Sequence, residues 1–409
     1  MRRVISILGS AILLHSTIFA DEQPDNVSSF VKSNNSFAAD LYTHIKNSNE
    51  DNFVFCPFSI SSCLSMVYMG ARGETAAQMR KVLSLDIDPK VLPKTNAALI
   101  FSLMAKSMEA PGYQLSIANG MWLDQKIFIL SGFRHMLTSE FKAKVETLDF
   151  AQSAKATAGI NDWISSATQE KIPSLLQPSD ISADTRLVLA NAVFFKGNWT
   201  LPFNPKVTKP LPFYSVPESS CDTAMMNQIN FFPYYENDLL QVLALPFIGT
   251  NADGGQIACL IALPKSAENL PRVEEDLSST IEKWLSNLAR DRIDITIPKF
   301  TLNNRYELNQ TLQKLGMENA FFPGANFAGI DGMRDLFLSK VLHQTFFALD
   351  EAGVTAAAAT AASFNVTSTG PQAPPVSFLA DHPFLFLLVD LKSHLVLFAG
   401  KCSQPQIQP

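Results

Sequence analysis

The hydrophobic pattern of the first half of the chain is that of helices. Residues 59–70, SISSCLSMVYMG, carry a capping residue and then apolar positions at helical spacing, and residues 75–83 begin a second helix. Residues 160–171 predict a third helix that ends before Pro173. Its apolar residues fall on one face: Ile160, Trp163, Ile164 and Ala167.

Strand patterns take over in the second half. Residues 186–195, RLVLANAVFF, form a continuous apolar run, which is typical of a strand covered on both faces. Residues 293–297 alternate isoleucine with polar residues and predict a half-buried strand. Residues 384–389 and 395–399 flank a polar turn and predict a hairpin. Helices followed by interleaved strands, without an internal repeat or linker, indicate one α+β domain over residues 21–409.

The first twenty residues have the pattern of an export signal. Arg2 and Arg3 precede an apolar stretch at 4–14, and the small residue Ala20 stands before the first acidic residue. This arrangement predicts a signal peptide at residues 1–20, which is too short to span a bilayer as a helix. No later apolar run reaches the ~18 uncharged residues that a spanning helix needs, so no membrane attachment is expected. We therefore expect a secreted protein, extracellular or, if the source is bacterial, periplasmic.

Composition excludes several classes of function. Lys+Arg total 32 against 38 for Asp+Glu, and the net charge of −6 argues against nucleic acid, which needs a basic face. Five cysteines among 409 residues are too few for a disulfide scaffold, and an odd count leaves one thiol free. The four in apolar surroundings are expected to be inert buried thiols: Cys56, Cys63, Cys221 and Cys259.

The usual catalytic and metal-binding motifs are absent from the sequence. It contains no His-Glu-x-x-His, no Gly-x-x-x-x-Gly-Lys and no Gly-x-Ser-x-Gly. The six histidines are dispersed, without the spacing of a paired metal site. We therefore expect neither an enzyme nor a bound cofactor or metal.

One long segment, residues 350–375, does not fit a compact domain. It reads DEAGVTAAAATAASFNVTSTGPQAPP, and no lysine or arginine occurs from residue 353 to residue 379. Structureless loops above about 15 residues are uncommon and are usually functional or disordered. At period two, one face of the segment is small and apolar: Val354, Ala356, Ala358, Thr360, Ala362, Phe364 and Val366.

Two structures compete for this segment. Its alanines favour a surface helix capped by Asp350, because alanine is the best helix former. Against this, Gly353, Thr355 and Thr360 weaken a helix, and the charges of an exposed helix are missing. The composition favours a mobile segment that can also serve as a strand between two others.

A series of motifs, in order, resembles the serpin family over nearly the whole chain after the signal peptide. They are NFVFCPFS at 52–59, MGARGET at 69–75, LANAVFFKGNW at 189–199, PKF at 298–300, LGM at 315–317, VLH at 341–343, EAG at 351–353 with the alanines after it, and FLADHPF at 378–384. One such motif alone would be weak evidence, but the ordered set over about 330 residues is strong.

The resemblance implies an α+β serpin fold, with about nine helices around three β-sheets and an exposed reactive-centre loop at about 351–378. It also implies an inhibitor that is a monomer until it forms a covalent complex with its target, a serine or cysteine protease. The protease cleaves the loop and becomes acylated, and the segment behind the break inserts into the central sheet. About sixteen residues at ~3.3 Å each then carry the protease roughly 53 Å before deacylation. The native fold must therefore be kinetically trapped.

The resemblance assigns roles to particular residues. Four of them match the polar cluster and the tryptophan at which the central sheet opens: Ser59, Asn191, His343 and Trp199. Lys299 and Glu351 match a pair across the head of the inserting strand, and Cys56 stands where the family usually has serine. The hinge of the loop is matched by Glu351, Gly353, Val354, Thr355, Ala356, Ala357, Ala358, Ala359 and Thr360.

Two counts place the cleaved bond differently. Counting seventeen residues with Glu351 as the first gives Thr367-Ser368, whereas counting back from Pro383 by the family's spacing gives the bond after Gln372. The hinge count is preferred, because the inserted length is mechanically constrained and the far side of the loop can vary.

The residues near the bond indicate the class of target. Val366 and Thr367 suit elastase-like or subtilisin-like proteases, and Phe364 offers a chymotrypsin-like alternative. Trypsin-like targets are not expected, because the loop has no basic residue for their acidic pocket. Heparin binding is not expected either, since Lys106 is the only basic residue between positions 96 and 112, where heparin-binding members cluster theirs.

Two rival functions stay open at this point. A non-inhibitory serpin, acting as a carrier or chaperone, would share the fold but typically spoils the hinge. Here the hinge is intact, and Val354, the first inward position, is apolar. A secreted surface or structural protein of another class would require the family match to be accidental.

Overall fold

The computed structural model describes residues 24–48, 52–104, 112–216, 219–250, 254–275, 277–354 and 373–406. The predicted signal peptide, residues 1–20, lies outside this part. The described residues form ten α-helices and fifteen β-strands. The helices are α1 (Pro24–Ser48), α2 (Pro57–Tyr68), α3 (Gly73–Val82), α4 (Leu92–Leu103), α5 (Ser131–Ser139), α6 (Ser153–Ala167), α7 (Leu270–Val273), α8 (Leu277–Ser286), α9 (Asn309–Lys314) and α10 (Ala328–Asp331). The strands are β1 (Phe53–Phe55), β2 (Tyr113–Asp124), β3 (Lys144–Leu148), β4 (Leu187–Asn198), β5 (Lys209–Val216), β6 (Ser219–Glu236), β7 (Leu240–Pro246), β8 (Ile257–Pro264), β9 (Ala289–Pro298), β10 (Phe300–Glu307), β11 (Lys340–Leu349), β12 (Gly353–Val354), β13 (Val376–Leu379), β14 (Phe384–Asp390) and β15 (Val396–Cys402).

The three helices that the pattern predicts are present. α2 has Pro57 in its first turn, where a missing N–H costs nothing, and all of its residues are buried. α3 ends on Arg80 and Lys81, whose charges suit the negative end of the helix dipole. α6 begins seven residues before the predicted Ile160, where alternate alanines favour a helix without forming an apolar stripe. It ends at Ala167, four residues before the predicted end, because Gln169 and Glu170 have left-handed backbone conformations. None of the described helices combines the length and apolarity needed to cross a membrane.

A six-stranded sheet contains the strand that the long apolar run predicts. Its order is β10-β11-β12-β4-β2-β3. β4 and β11 run parallel and pair directly, from Val188 opposite Lys340 to Phe194 opposite Phe346. Nearly all of β4 is buried, as expected of a strand with both faces covered.

Two apolar clusters cover the two faces of this sheet. Val193 and Phe195 belong to the main core, whereas Val188 and Ala190 belong to a smaller cluster on the outer face. The smaller cluster is closed by α6 and by the connection from α6 to β4, residues 168–186, which we call the strap. The strap buries Ile172, Leu175, Leu176 and Ile181 in it.

The other nine strands form one continuous sheet. Its order is β1-β15-β14-β8-β7-β6-β9-β13, with β5 also paired to β6. The three sheets that were expected are therefore joined into two, because the 18-residue β6 is shared by two groups of strands. It pairs with β5 and β9 along most of its length and with β7 at its last three residues. The predicted hairpin is β14 with β15, and the α+β class agrees with the sequence.

Candidate functional site

The boundary between β4 and β11, which we call the seam, is closed along most of its length and open at one end. Beyond the pair of Phe194 and Phe346, the two strands separate and admit β12 between them. Val354 of β12 lies opposite Gly197 of β4 on one side and Leu349 of β11 on the other. β12 is antiparallel to both neighbours, so the start of the long segment already occupies a strand position.

A tight turn leads the chain from β11 into β12. The Asp350 N–H donates to the Gly353 carbonyl (2.8 Å), and the Asp350 carboxylate accepts the N–H of Ala352 (2.9 Å) and of Gly353 (3.1 Å). Burial raises the pKa of the Asp350 carboxyl, although these two N–H groups oppose the rise. Gly353 has φ +153°, and a Cβ there would overlap the carbonyl oxygen of Gly197. Only glycine therefore fits this approach of β12 to β4.

Trp199 closes the open end of the seam. Its indole stacks on Phe247, with ring centroids 4.6 Å apart, and its Nε1 donates to the Asp350 carbonyl (2.9 Å). Its backbone N–H donates to the carbonyl of Ala352 (2.8 Å). The tryptophan therefore holds the turn as well as capping β4, and it lies beside Glu351 and Gly353, two of the predicted hinge residues.

Glu351 is fixed by the residue that the sequence analysis paired with it. Its carboxylate lies 2.7 Å from the Lys299 ammonium and accepts a hydrogen bond from the Thr208 hydroxyl (2.8 Å). Burial alone would raise the pKa of the Glu351 carboxyl, but the hydrogen bonds from Lys299 and Thr208 outweigh it and lower the pKa. The Glu351 carbonyl accepts the N–H of Phe203 (2.8 Å), so both backbone and side chain of the hinge are tied down.

Below the open end, three predicted residues meet across the seam in one hydrogen-bonded cluster. Asn191 of β4 and His343 of β11 lie directly opposite each other. The Asn191 carbonyl oxygen accepts from His343 Nδ1 (2.5 Å) and from the Ser59 hydroxyl of α2 (2.7 Å). A single amide oxygen thus joins both strands and the helix beneath them.

The protonation of His343 follows from its partners. Its Nε2 accepts the backbone N–H of Cys56 (3.1 Å), so the ring proton must be on Nδ1, which donates to Asn191. Complete burial lowers the pKa of His343 to about 3. The ring is therefore neutral, and it is used as a hydrogen-bonding group rather than as an acid or base.

The site also contains two residues that were not predicted from the sequence, Asn119 and Thr208. Asn119 of β2 lies opposite Asn191. Its side-chain oxygen accepts a hydrogen bond from Asn191 Nδ2 (2.6 Å), and its Nδ2 donates to the Ser62 hydroxyl (3.3 Å). The Thr208 hydroxyl donates to Glu351. A signal for Asn119 exists in the sequence, because it is a polar residue within the buried second half of β2. Thr208 lies in a connection without any pattern and offers no such signal.

Several predicted site residues lie outside the described residues. These are the hinge positions Thr355, Ala356, Ala357, Ala358, Ala359 and Thr360, and the candidate bond residues Phe364, Val366, Thr367, Ser368 and Gln372. Of the hinge, the described part comprises Glu351, Gly353 and Val354. Val354 is fully buried and belongs to the main core.

Nothing in the described residues resembles a metal site or a reactive thiol. No group of three or more His, Cys, Asp or Glu is placed to hold a metal ion in the ranges given above. All five cysteines are free, and four are buried, whereas Cys221 is only partly so. Burial raises the pKa of both Cys56 and Cys63 to about 12, so these thiols stay protonated.

Comparisons with known proteins agree with this geometry. The family model described as Serpin (serine protease inhibitor) matches residues 32–405. The leukocyte elastase inhibitor of Equus caballus is 34% identical over 386 residues, which cover 91% of this chain and 98% of that protein. Among solved structures, a highly specific serpin of the insect Tenebrio molitor has a TM-score of 0.82 at 28% identity, covering 94% of this chain and all of the other. Human thyroxine-binding globulin has a TM-score of 0.82 at 25% identity over 93% of this chain and all of the other.

Proposed function

Because this chain belongs to the serpin family, we propose that it is an irreversible suicide-substrate inhibitor of proteases. Serine proteases are the primary targets, and cysteine proteases of similar cleavage preference are secondary ones. The target cleaves the loop, is acylated by it, and is trapped when the loop segment behind the break enters the seam as a full strand. The inhibitor itself catalyses nothing and needs no cofactor.

One observation carries this proposal: Gly353 and Val354 already pair as a strand between β4 and β11. The first hinge residues thus already have the direction and position that the inserted strand would take. Below it, β4 and β11 are joined by direct parallel pairing. An incoming strand would exchange that pairing for antiparallel pairing on both of its sides, which adds hydrogen bonds to the sheet.

Extending the register of β12 predicts where each later residue would lie after insertion. Val354 lies opposite Gly197 and Leu349, so the sixth residue after it, Thr360, would lie opposite both Asn191 and His343. Opposite residues share a face of the sheet, and a threonine hydroxyl both donates and accepts. Thr360 would therefore replace the bond between His343 and Asn191 that insertion must break.

The same register supports the hinge count, which places the cleaved bond between Thr367 and Ser368. β4 begins at Leu187, and the residue that would lie opposite Leu187 is Phe364. A strand that fills the seam therefore ends three residues before Thr367, which leaves a short connection to a protease acylated at that residue. We propose Thr367-Ser368 as the reactive bond, with cleavage after Phe364, Val366 or Gln372 as the alternatives. Elastase-like, subtilisin-like or chymotrypsin-like proteases are the proposed targets.

The direct test is to incubate the protein with elastase, subtilisin, chymotrypsin and trypsin and to look for a covalent complex that survives boiling in detergent. We expect a complex with at least one of the first three, and none with a protease whose catalytic serine is replaced by alanine. Mass spectrometry of the released C-terminal peptide identifies the bond. Cleavage of the loop by every protease without any complex would contradict the proposal.

The second candidate is a carrier function, which the likeness to thyroxine-binding globulin favours. A carrier needs a ligand site and no loop insertion, so cleavage of its loop would change thermal stability little. The intact hinge and the strand at β12 favour the inhibitor.

Further parts of the proposal concern location and partners. We propose that the protein is secreted, on the pattern of residues 1–20 alone, and that it is a monomer that binds neither nucleic acid, membrane nor heparin. Sequencing the N-terminus of protein exported by a host cell tests the first point, since it should begin at Asp21. Unchanged inhibition rates in the presence of heparin test the last.

A further inference from the structure

The strap crosses the outer face of the six-stranded sheet and is fastened first to α6. The Asn161 side chain of α6 accepts the backbone N–H groups of Leu175 (3.0 Å) and Leu176 (2.9 Å), and it donates to the Leu176 carbonyl (2.9 Å). α6 in turn rests on β2, where Trp163 packs edge-on against Trp122 with centroids 5.3 Å apart. β2 pairs with β4, so this fastening belongs to the β4 side of the seam.

The second fastening of the strap is centred on the side chain of Arg305 of β10. Its Nε donates to the Leu175 carbonyl (2.6 Å), and its terminal nitrogen lies 2.5 Å from the Asp180 carboxylate. The same carboxylate oxygen accepts the N–H of Gln177 (2.7 Å), which fixes its orientation. β10 pairs with β11, with Arg305 opposite Gln344, so this fastening belongs to the β11 side.

The two fastenings therefore lie on opposite sides of the seam. A strand that enters the seam moves β11 and β10 away from β4 and β2 by about 4.8 Å, the distance between neighbouring strands. A hydrogen bond of ordinary length cannot follow such a displacement. Either the strap leaves α6 or it leaves Arg305.

The side of Arg305 is the weaker one. The strap buries Ile172, Leu175 and Leu176 in an apolar cluster whose other buried members come mostly from α6, β2 and β4, with Leu342 as the buried member from β11. On the side of β10 and β11 its polar hold consists of the bonds of Arg305, whose side chain is 30% exposed, and of one hydrogen bond from the Arg186 N–H to the Ser339 hydroxyl, where the strap joins β4. Water can form hydrogen bonds in place of those that Arg305 loses, whereas apolar side chains that become exposed gain nothing that offsets their exposure.

We propose that Arg305 is a positioning residue that tethers the strap across the closed seam, and that release of this tether is a step in loop insertion. This inference rests on the proposed inhibitory function. The tether stabilises the native form alone, because in the inserted form the strap and β10 are a strand's width further apart. It therefore slows both insertion after cleavage and spontaneous insertion of the intact loop.

The test compares Arg305→Gln with a matched ion pair that does not cross the seam. Lys340 of β11 lies 2.8 Å from Glu307 of β10, and both residues are on the same side of the seam, so Lys340→Gln is the control. For each variant we would measure the rate of covalent complex formation, the rate at which heated intact protein converts to the inserted form, and the melting temperatures of intact and cleaved protein. Arg305→Lys tests geometry, because lysine can still meet Asp180 but lacks the planar fork that also holds Leu175.

We expect Arg305→Gln to convert about tenfold faster than wild type and to melt lower only in the intact form. The conversion rate of Arg305→Lys should lie between those of wild type and Arg305→Gln, and Lys340→Gln should leave the conversion rate unchanged. Wild-type rates in Arg305→Gln, or equal losses of melting temperature in its intact and cleaved forms, would overturn the tether. Wild-type protein that gains no stability on cleavage would instead overturn the proposed function, and this inference with it.

Discussion

The six-stranded sheet and the nine-stranded sheet both bury their central strands, but they fill the buried positions differently. In the six-stranded sheet, Asn119, Asn191 and His343 lie across the middle of three strands and are hydrogen-bonded to one another and to α2. In the nine-stranded sheet, β8 and β14 pair from Ile257 opposite Asp390 to Ala262 opposite Leu385, and every residue of β8 is apolar and buried.

Under the proposed mechanism, the difference favours opening of the six-stranded sheet. A side-chain hydrogen bond can be handed to an incoming partner, so its loss during insertion is compensated as soon as the next strand arrives. Interlocked apolar side chains have no such substitute, and separating them leaves cavities and exposed surface. We therefore regard the seam as the movable boundary of the molecule and the nine-stranded sheet as its fixed part. The predictions below test this contrast, beginning with the largest expected effect.

Val354→Arg should abolish inhibition. Val354 is fully buried between β4 and β11, and an arginine there would carry an uncompensated desolvation cost, which opposes both β12 and the insertion that continues from it. We expect the stoichiometry of inhibition to rise more than about tenfold, because insertion slows relative to deacylation and the protein becomes a substrate. The measurement is titration of protease activity together with detergent gels. Thr355→Arg is the control and should retain inhibition, because the period-two pattern predicts that Thr355 faces outward; equal loss in both variants would argue against this alternation of faces.

His343→Ala should destabilise the native form by about 2–4 kcal/mol, because it leaves the Cys56 N–H without its partner in a buried site. Heated intact protein should then convert faster to the inserted form. Leu387→Ala, in the nine-stranded sheet, should cost a similar amount through its cavity but should lead to unfolding instead. Native gels and urea melts distinguish the two products. The same product from both variants would remove the distinction between the sheets.

The pH dependence of stability should report the buried histidine. In the native form burial lowers the pKa of His343 to about 3, whereas an exposed histidine titrates near 6.5. Below about pH 6.5 the unfolded chain therefore binds a proton at His343 that the native form does not bind. The free energy of unfolding is highest above about pH 6.5 and falls as the pH drops below that value. The slope is at most about 1.4 kcal/mol per pH unit.

Urea unfolding between about pH 7 and pH 5 measures this slope, with His343→Gln as the reference that should show a smaller one. The lowered pKa of Glu351 acts in a separate window. Its stabilisation is present above the unfolded value of 4.5 and is lost as the pH falls through the lower folded value. Identical slopes in wild type and His343→Gln above pH 5 would show that the ring is not held neutral.

Glu351→Gln should have the smallest effect of the series, about 1 kcal/mol, because it removes the ion pair with Lys299 but keeps an acceptor for Thr208. The control is Glu236→Gln, which breaks an exposed pair with Lys265 in the nine-stranded sheet and should change stability by less than about 0.5 kcal/mol. Native-state melts of both variants measure the difference. An equal, negligible change in both would mean that the hinge pair contributes nothing.

Much of the architecture could be predicted because single strands and turns follow from the local pattern of apolar and polar residues. The continuous apolar run predicted β4, alternation predicted β9, and a polar turn between two apolar runs predicted the β14–β15 hairpin. The grouping of strands could not be predicted, because the sharing of β6 by two groups depends on pairings far apart in sequence.

The site divides in the same way. The family resemblance brought Ser59, Asn191 and His343 together, whereas no local pattern links residues on two strands and a helix. The tether formed by Arg305 was not predicted, because the partners of Arg305 lie 125 and 130 residues away in an irregular connection. Irregular segments carry no periodicity from which a contact could be inferred.

The central claim is that the molecule stores conformational free energy in a closed seam and releases it when the loop is cut. The most direct measurement is a pair of thermal melts, of intact protein and of protein nicked once in the loop with both fragments retained. We expect the nicked form to melt tens of degrees higher, because the seam then contains an additional, fully paired strand. A nicked form that melts at or below the temperature of the intact protein would contradict this account.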